Sequence, residues 1–437
     1  MLRLVGYSDR LSVAPGEDIA FMVSADGLDR YEAAIVRLIH GDANPDGPGF
    51  RADPVASTIE GGYDGRFQEI RAGSYVAVPD HPALRDLASF TVAAMIWPTL
   101  PGSGRQALIA KGGHAARAGF SLDLDEAGAL SLTLVDDDGG TVALSSGKPM
   151  LARHWYLAAA AFDAESGRVT LVQRPLKRFA LTDDEATTTA ETAIRPANSG
   201  TPLTIAAGIA EIDDRGPRTA AHYDGKIDSP MLFGRALGLA ELNGLFGPSA
   251  SREGLVAGWD FSREMRSIRA VDSGPHGLHG TCVNLPARAM KGWNWTGTEM
   301  NWTRAPEQYG AIHFHRDDLY DAGWQADFVW TVPEGTRSGV YCAHIRSADG
   351  AHEDYLPFAG RPPRGEATAE IAFLMPTASY LAYANDHNSV DGEAAEMLMG
   401  RLIKLQPGDL FIDEHREYGL ATYDTHADGS GVRYSSR

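Results

Sequence analysis

Phe90-Thr-Val-Ala-Ala-Met-Ile-Trp-Pro98 is a short apolar run that closes on a proline. Before it stands Ser74-Tyr-Val-Ala-Val-Pro79. After it come Gln106-Ala-Leu-Ile-Ala-Lys111, Gly119-Phe-Ser-Leu-Asp-Leu124, Leu130-Ser-Leu-Thr-Leu-Val135 and Trp155-Tyr-Leu-Ala-Ala-Ala-Ala-Phe162. Val169-Thr-Leu-Val-Gln173, Leu203-Thr-Ile-Ala-Ala-Gly208 and Asp224-Gly-Lys-Ile-Asp-Ser-Pro-Met-Leu-Phe233 continue the series. About nine short strands with turn signals between them predict a two-sheet antiparallel sandwich over residues 65–250. Glycine (48) and proline (24) recur as punctuation between such runs, which extends the β reading to most of the chain.

Outward from that block the pattern changes twice. Residues 1–64 form an N-terminal β segment. Leu11-Ser-Val-Ala-Pro-Gly16 reads as a strand ending in a turn, and Asp18-Ile-Ala-Phe-Met-Val-Ser24 and Ala34-Ile-Val-Arg-Leu-Ile-His40 are further strands. Asn44-Pro-Asp-Gly-Pro-Gly49 forces a loop, because its prolines lack amide donors and its glycines admit positive φ. The segment is too short for a sandwich alone, so its strands are expected to pair with a later part of the chain. Residues 251–360 read as an immunoglobulin- or fibronectin-like β domain. In it, Trp324–Pro333 and Ser338–Arg346 are expected as adjacent strands with a turn at Gly339. From 361 to 437 the chain reads as the incomplete start of an α/β domain. Glu370-Ile-Ala-Phe-Leu-Met-Pro-Thr377 suits a buried parallel strand, Gly392–Leu405 a helix, and Gly431–Arg437 a third strand-like run. The fold class is therefore mainly β, with immunoglobulin-like and jelly-roll sandwiches followed by that α/β start.

Composition narrows the function classes. Asp plus Glu number 58 against 39 Lys plus Arg, a formal charge of −19, so no net basic face is available for nucleic acid or an anionic membrane. No stretch approaches the ~20 apolar residues of a membrane span, and the N-terminus lacks the apolar core of a secretory signal. Cys282 and Cys342 are too few for a disulfide scaffold or a structural zinc site, and a cytoplasmic home is the simplest expectation. With no signal, the Asn-Trp-Thr sequons at Asn294 and Asn301 are read as chance.

The common catalytic signatures are missing: no phosphate-binding Gly-x-x-x-x-Gly-Lys-[Ser/Thr], no His-Glu-x-x-His, no Gly-x-Ser-x-Gly. His313 and His315 stand two apart on a strand, so both imidazoles share a face, with Asp317 and Asp318 close behind. Two histidines and a carboxylate could bind a transition metal. The plainer reading, preferred here, is a strand entering a polar turn with the histidines packed on Trp324 and Tyr320. Near the end, Tyr380-Leu-Ala-Tyr-Ala-Asn-Asp-His387 follows the expected buried strand at its carboxyl end, where open α/β sheets bind ligands. Tyr418-Gly-Leu-Ala-Thr-Tyr-Asp-Thr-His-Ala-Asp-Gly-Ser-Gly431 concentrates Tyr, His and Asp again.

Two resemblances follow from ordered motifs. Ala94-Met-Ile-Trp-Pro98, Ile109-Ala-Lys-Gly-Gly113, His154-Trp-Tyr156, Tyr223-Asp-Gly-Lys-Ile-Asp228 and Arg235-Ala-Leu237 resemble the laminin-G-like, concanavalin A-like jelly roll. Trp97 and Trp155 are expected in its core, and Asp224-Gly225 turns the chain into the last long strand. The resemblance opens glycan or protein binding as an alternative, non-catalytic function.

The second resemblance covers essentially the whole chain. It rests on Gly6-Tyr-Ser-Asp-Arg-Leu-Ser-Val-Ala-Pro-Gly-Glu17, Ile35-Val-Arg-Leu-Ile-His-Gly-Asp42, the interrupting jelly roll, Phe314-His-Arg-Asp-Asp-Leu319 and Ser338-Gly-Val-Tyr341. Pro376-Thr-Ala-Ser-Tyr-Leu-Ala-Tyr-Ala-Asn385 and Tyr423-Asp-Thr-His-Ala-Asp-Gly-Ser-Gly431 complete it. In this order they resemble the large (beta) subunit of N,N-dimethylformamidase and its relatives. The resemblance implies hydrolysis of a small N-substituted formamide to formate and an amine. It also implies a mononuclear non-haem iron held by two tyrosines and a glutamate, and a small partner subunit in an oligomeric enzyme. Tyr383 matches the first tyrosine ligand, with Tyr380 as its fallback, and Tyr423 the second. Phenolate is a hard anionic donor suited to Fe³⁺, and two phenolates with one carboxylate balance its charge. The glutamate and the acid/base residues are expected beyond Arg437; Glu414 and Glu417 align with nothing in the pattern. Within the chain, His426 and Asn385 are the catalytic candidates.

Overall fold

The computed structural model describes residues 3–42, 44, 46–85, 87–113, 118–386, 397, 400 and 407–436. His387 and, apart from Met397 and Gly400, the helix expected over residues 392–405 lie outside the described residues. The chain divides into two compact units, residues 71–320 with 425–434, and residues 1–70 with 321–424 and 435–437.

The larger unit is the expected jelly roll. Phe90–Pro98 pairs with Tyr156–Asp163 on one side and Gly225–Phe233 on the other, all antiparallel. Alternation decides which side chains face the core. Phe90, Val92, Ala94 and Ile96 enter the main core, while Ala93 and Met95 face a second cluster with Leu237 and with Leu242, which lies on the helix Leu239–Gly244. Phe90 stacks at 4.2 Å on Phe120 of Ala118–Leu124, a strand well removed from it in hydrogen-bonding order, so two sheets meet face to face. Gly225 sits at φ 148°, where a Cβ would lie 2.5 Å from the Trp97 carbonyl oxygen, so the turn into Gly225–Phe233 requires glycine.

The two tryptophans expected in this core are not in it. Trp97 follows inward-facing Ile96 and so points outward, half-buried beneath the Lys226 ammonium at 4.1 Å. Trp155 is half-buried against the second cluster. Trp259 fills the core instead, donating its indole N–H to the Leu278 carbonyl.

The domain boundaries also differ from the sequence reading. The jelly roll does not end at 250. Leu255–Asp260 pairs with Gly225–Phe233, Gly280–Val283 with Tyr75–Val78, and Ala311–Phe314 with Gly225–Asp228. Residues 251–320 thus complete the sandwich rather than open a new domain.

The smaller unit is the sandwich that the N-terminal strands cannot make alone. Asp18–Ala25 pairs with Leu4–Ser8 and with Phe328–Thr331 in one sheet. In the other, Arg30–His40 pairs with Gly339–Ser347, which pairs with Glu353–Gly360. Phe21, Trp330, Tyr341 and Phe358 interlock between them, with Phe21 edge-on to Phe358 at 5.7 Å. Phe328–Thr331 and Gly339–Ser347 are therefore not neighbours: they belong to different sheets, and the chain turns at Gly335 (φ 79°) rather than Gly339.

Among the described residues, the α/β expectation is met by helices, at Thr377–Ala382 and Pro407–Glu414, and by no strand. Glu370–Thr377 forms no strand, and Ile371, Phe373 and Leu374 are 87%, 79% and 92% exposed. A parallel strand is stable only with neighbours on its edges and cover on its faces, and the described residues supply neither here. The described part of the third strand-like run, residues 431–436, likewise makes a single bridge, Gly431 to Thr425, in place of a strand.

Candidate functional site

Two constellations of chemically active side chains stand out, one in each unit. In the smaller unit, Tyr383 caps the C-terminus of the helix Thr377–Ala382. The last carbonyls of a helix have no partner within it. The Ala382 carbonyl is satisfied from outside, by the amide and the hydroxyl of Thr422, each at 3.0 Å. That pair of hydrogen bonds brings the next residue, Tyr423, onto Tyr383: the rings stack at 4.4 Å with 17° between planes. A hydrogen bond between the two hydroxyls raises the Tyr383 pKa above the ordinary phenol value. Both rings remain about half exposed, 52% and 55%.

Asn385 lies just beyond, in the left-handed region at φ 57°, which asparagine tolerates better than most residues. Its side-chain amide donates to the Tyr418 carbonyl at 2.7 Å, a second tie between the two tyrosine-bearing segments. Asp424, buried, accepts the Ala421 amide at 2.9 Å and shapes the turn that presents Tyr423. Tyr380 points elsewhere, into a groove lined with Gly6, Tyr7, Leu356 and Leu381. Glu417 pairs with His415 at 2.7 Å. Two phenol rings are thus brought together, and a pair of phenolic donors fits a hard, highly charged cation.

In the larger unit, His313 and His315 meet the segment 425–434. Neither packs on Tyr320 or Trp324. The His313 ring stands edge-on to Trp97 and lies 4.1 Å from His315, which in turn stacks on His426 at 3.8 Å. Trp324 is tilted against Tyr7 instead. All three histidines are buried. His313 Nε2 is 3.1 Å from Asp428 Oδ2, His315 Nδ1 is 3.2 Å from Asp318 Oδ2, and His426 Nδ1 is 2.7 Å from Asp317 Oδ1. Burial pushes the His313 pKa down to about 4. Burial pulls His315 the same way, but the Asp318 hydrogen bond and nearby carboxylate charges carry it above the usual value. Burial acts upwards on Asp317, and the His426 contact outweighs it and lowers its pKa.

Of the residues singled out from sequence, Tyr383, Tyr423 and Asn385 are thus brought together. His426 joins the buried histidine group. Asp428 and Ser430 are further members of it. Their signal was the shared two-residue spacing, His-x-His against His-x-Asp-x-Ser.

The larger unit places the chain among proteins carrying a concanavalin A-like sandwich. Residues 71–243 match the family described as concanavalin A-like lectin/glucanases superfamily, and residues 287–437 match N,N-dimethylformamidase beta subunit-like, C-terminal. From end to end, the chain is a relative of the N,N-dimethylformamidase beta subunits. It is 42% identical to that of Paracoccus aminophilus over 100% of this chain and 59% of the relative. It is 39% identical to that of an Alcaligenes species over 99% of this chain and 58% of the relative. The chain thus spans under two thirds of the length of either. Among solved structures, the CBM40 module of a Ruminococcus gnavus sialidase aligns with 41% of this chain and 95% of its own at 17% identity, with a TM-score of 0.32. That likeness is too distant to bear on function. No described helix is long and apolar enough to cross a membrane.

Proposed function

We propose that this chain is part of the large subunit of an iron-dependent amidohydrolase that splits a small N-substituted formamide into formate and an amine. The observation that carries the reading is the Tyr383–Tyr423 pair, two phenol rings stacked at 4.4 Å at the residues that the resemblance matches to the family's tyrosine ligands. Tyr383 and Tyr423 would hold the iron through their oxygens. Bound there, iron would supply a Lewis acid for the formyl oxygen and acidify a water molecule.

The chain's own residues supply position. Thr422 and Asn385 tie the loop bearing Tyr423 to the helix end bearing Tyr383, so the two rings are held together before any ligand arrives. Half-exposed rings leave the pair open to a small neutral substrate. Asn385, whose side-chain amide is engaged with Tyr418, acts as a positioning residue. His426, the other catalytic candidate, is buried and held through Nδ1 by Asp317. The relatives' name, beta subunit, describes proteins that assemble with a further subunit, and we extend a small partner subunit to this chain on that likeness.

Loading the chain with ferric iron tests the assignment. The expected result is a visible tyrosinate-to-iron charge-transfer band, lost in Tyr383→Phe and in Tyr423→Phe. Failure of the wild-type chain to take up iron, or a band unchanged in Tyr383→Phe, overturns it.

A further inference from the structure

We infer that the larger unit carries a second metal site, for a divalent transition ion of the zinc class, built from His313, His315 and Asp428. The inference is independent of the tyrosine pair. His313 Nε2 and His315 Nε2 lie 3.1 Å and 3.8 Å from the same oxygen, Asp428 Oδ2, and the three candidate donor atoms lie within 4.8 Å of one another. Donors about 2.0–2.2 Å from a tetrahedral zinc stand roughly 3.3 Å apart, so only small side-chain shifts are needed to close on an ion.

The surroundings are those of a metal site. His315 is oriented through Nδ1 by Asp318, the carboxylate–histidine arrangement that steers metal-bound imidazoles. Asp318 is itself held by the Ser74 hydroxyl at 2.6 Å. The second oxygen of Asp428 accepts the Ser430 amide and hydroxyl at 2.8 Å and 2.6 Å, which leaves Oδ2 for the histidines. Ser430 Oγ also lies 2.9 Å from His315 Nε2. With that hydroxyl donating to Asp428 and His315 Nδ1 donating to Asp318, the contact requires a proton on Nε2. A proton thus stands where an ion would bind, and uptake of the metal releases it.

Charge favours the cation. Asp317, Asp318 and Asp428 surround three buried imidazoles. The nearby basic groups are Lys226, which lies over the Trp97 ring and whose charge reaches His313, and Arg153, which donates to the Asp428 carbonyl. A second grouping, His315, Asp318 and His426, is less suitable. Its two imidazoles lie face to face with 5° between planes, so their in-plane lone pairs run parallel and do not meet at one ion. The 48° between His313 and His315 lets theirs converge.

Zinc titration of the metal-free chain by calorimetry, with cobalt as a spectroscopic probe, tests the site. One equivalent per chain is expected, with visible d–d bands from cobalt and a zinc-dependent rise in melting temperature. Affinity should fall at least tenfold in His313→Gln and Asp428→Asn, and 10–100-fold in Asp318→Asn, which removes the carboxylate that orients His315. The double variant Tyr383→Phe/Tyr423→Phe should bind zinc as the wild type does. Absence of stoichiometric binding or of a melting shift in the wild type overturns the proposal. So does binding that survives both His313→Gln and Asp428→Asn. The wild-type titration keeps the question decidable if those variants fold poorly.

Discussion

Thr422 donates both its amide and its hydroxyl to the carbonyl of Ala382, at 3.0 Å each, and this junction sets Tyr423 against Tyr383. One residue past each partner stands a phenol, so the geometry of the pair follows from a helix end that must find donors outside itself.

Replacing Thr422 by Val keeps the shape and the amide but removes the hydroxyl donor. About 1 kcal/mol of stability should go with it, and iron affinity should fall while melting of the jelly roll is unchanged. Denaturant unfolding followed alongside iron titration measures both. Unaltered iron binding would show that the hydroxyl does not position the pair.

Asn385 combines a left-handed backbone with a bond to Tyr418, and two substitutions separate the roles. Asn385→Gly retains the conformation and loses only the hydrogen bond; Asn385→Ala loses both and should be worse by about 1 kcal/mol. Equal stability of the two variants counts against a conformational role.

Gly225→Ala should destabilise the jelly roll by about 1–3 kcal/mol, since both its φ of 148° and the Trp97 carbonyl oppose a Cβ. A thermal melt of the variant decides this, and a neutral result would mean that the strand entry can shift.

Asp228 is buried and its pKa is pushed up to about 6, chiefly by desolvation. The folded state therefore keeps this proton to higher pH than the unfolded chain, whose carboxyl titrates near 3.9. Stability from this group is fully present below that value and is lost as pH rises through about 6. Asp228→Asn should remove the loss, raising the melting temperature at pH 7.5 and leaving it little changed at pH 4, on the order of 2–3 kcal/mol in difference. The same melting shift at both pH values would refute the titration argument.

Strands of the jelly roll were readable because alternation and turn residues are local: Phe90–Pro98 and Gly225–Phe233 stand where the pattern puts them. Pairing was less so. Phe328–Thr331 looked like a partner for Gly339–Ser347, yet it pairs with Asp18–Phe21, because hydrophobic period carries no address for a distant strand. The run Glu370–Thr377 shows the converse, since an apolar stretch does not become a strand without neighbours.

The mainly β class, the jelly roll and the likeness to the N,N-dimethylformamidase beta subunits are legible in the residues alone. Each is written in short windows or in an ordered set of motifs. Only the tertiary structure decided that residues 251–320 complete the jelly roll and that His313 meets Asp428, 115 residues away. Contacts of that separation depend on which surfaces are buried together, and burial is a property of the folded chain.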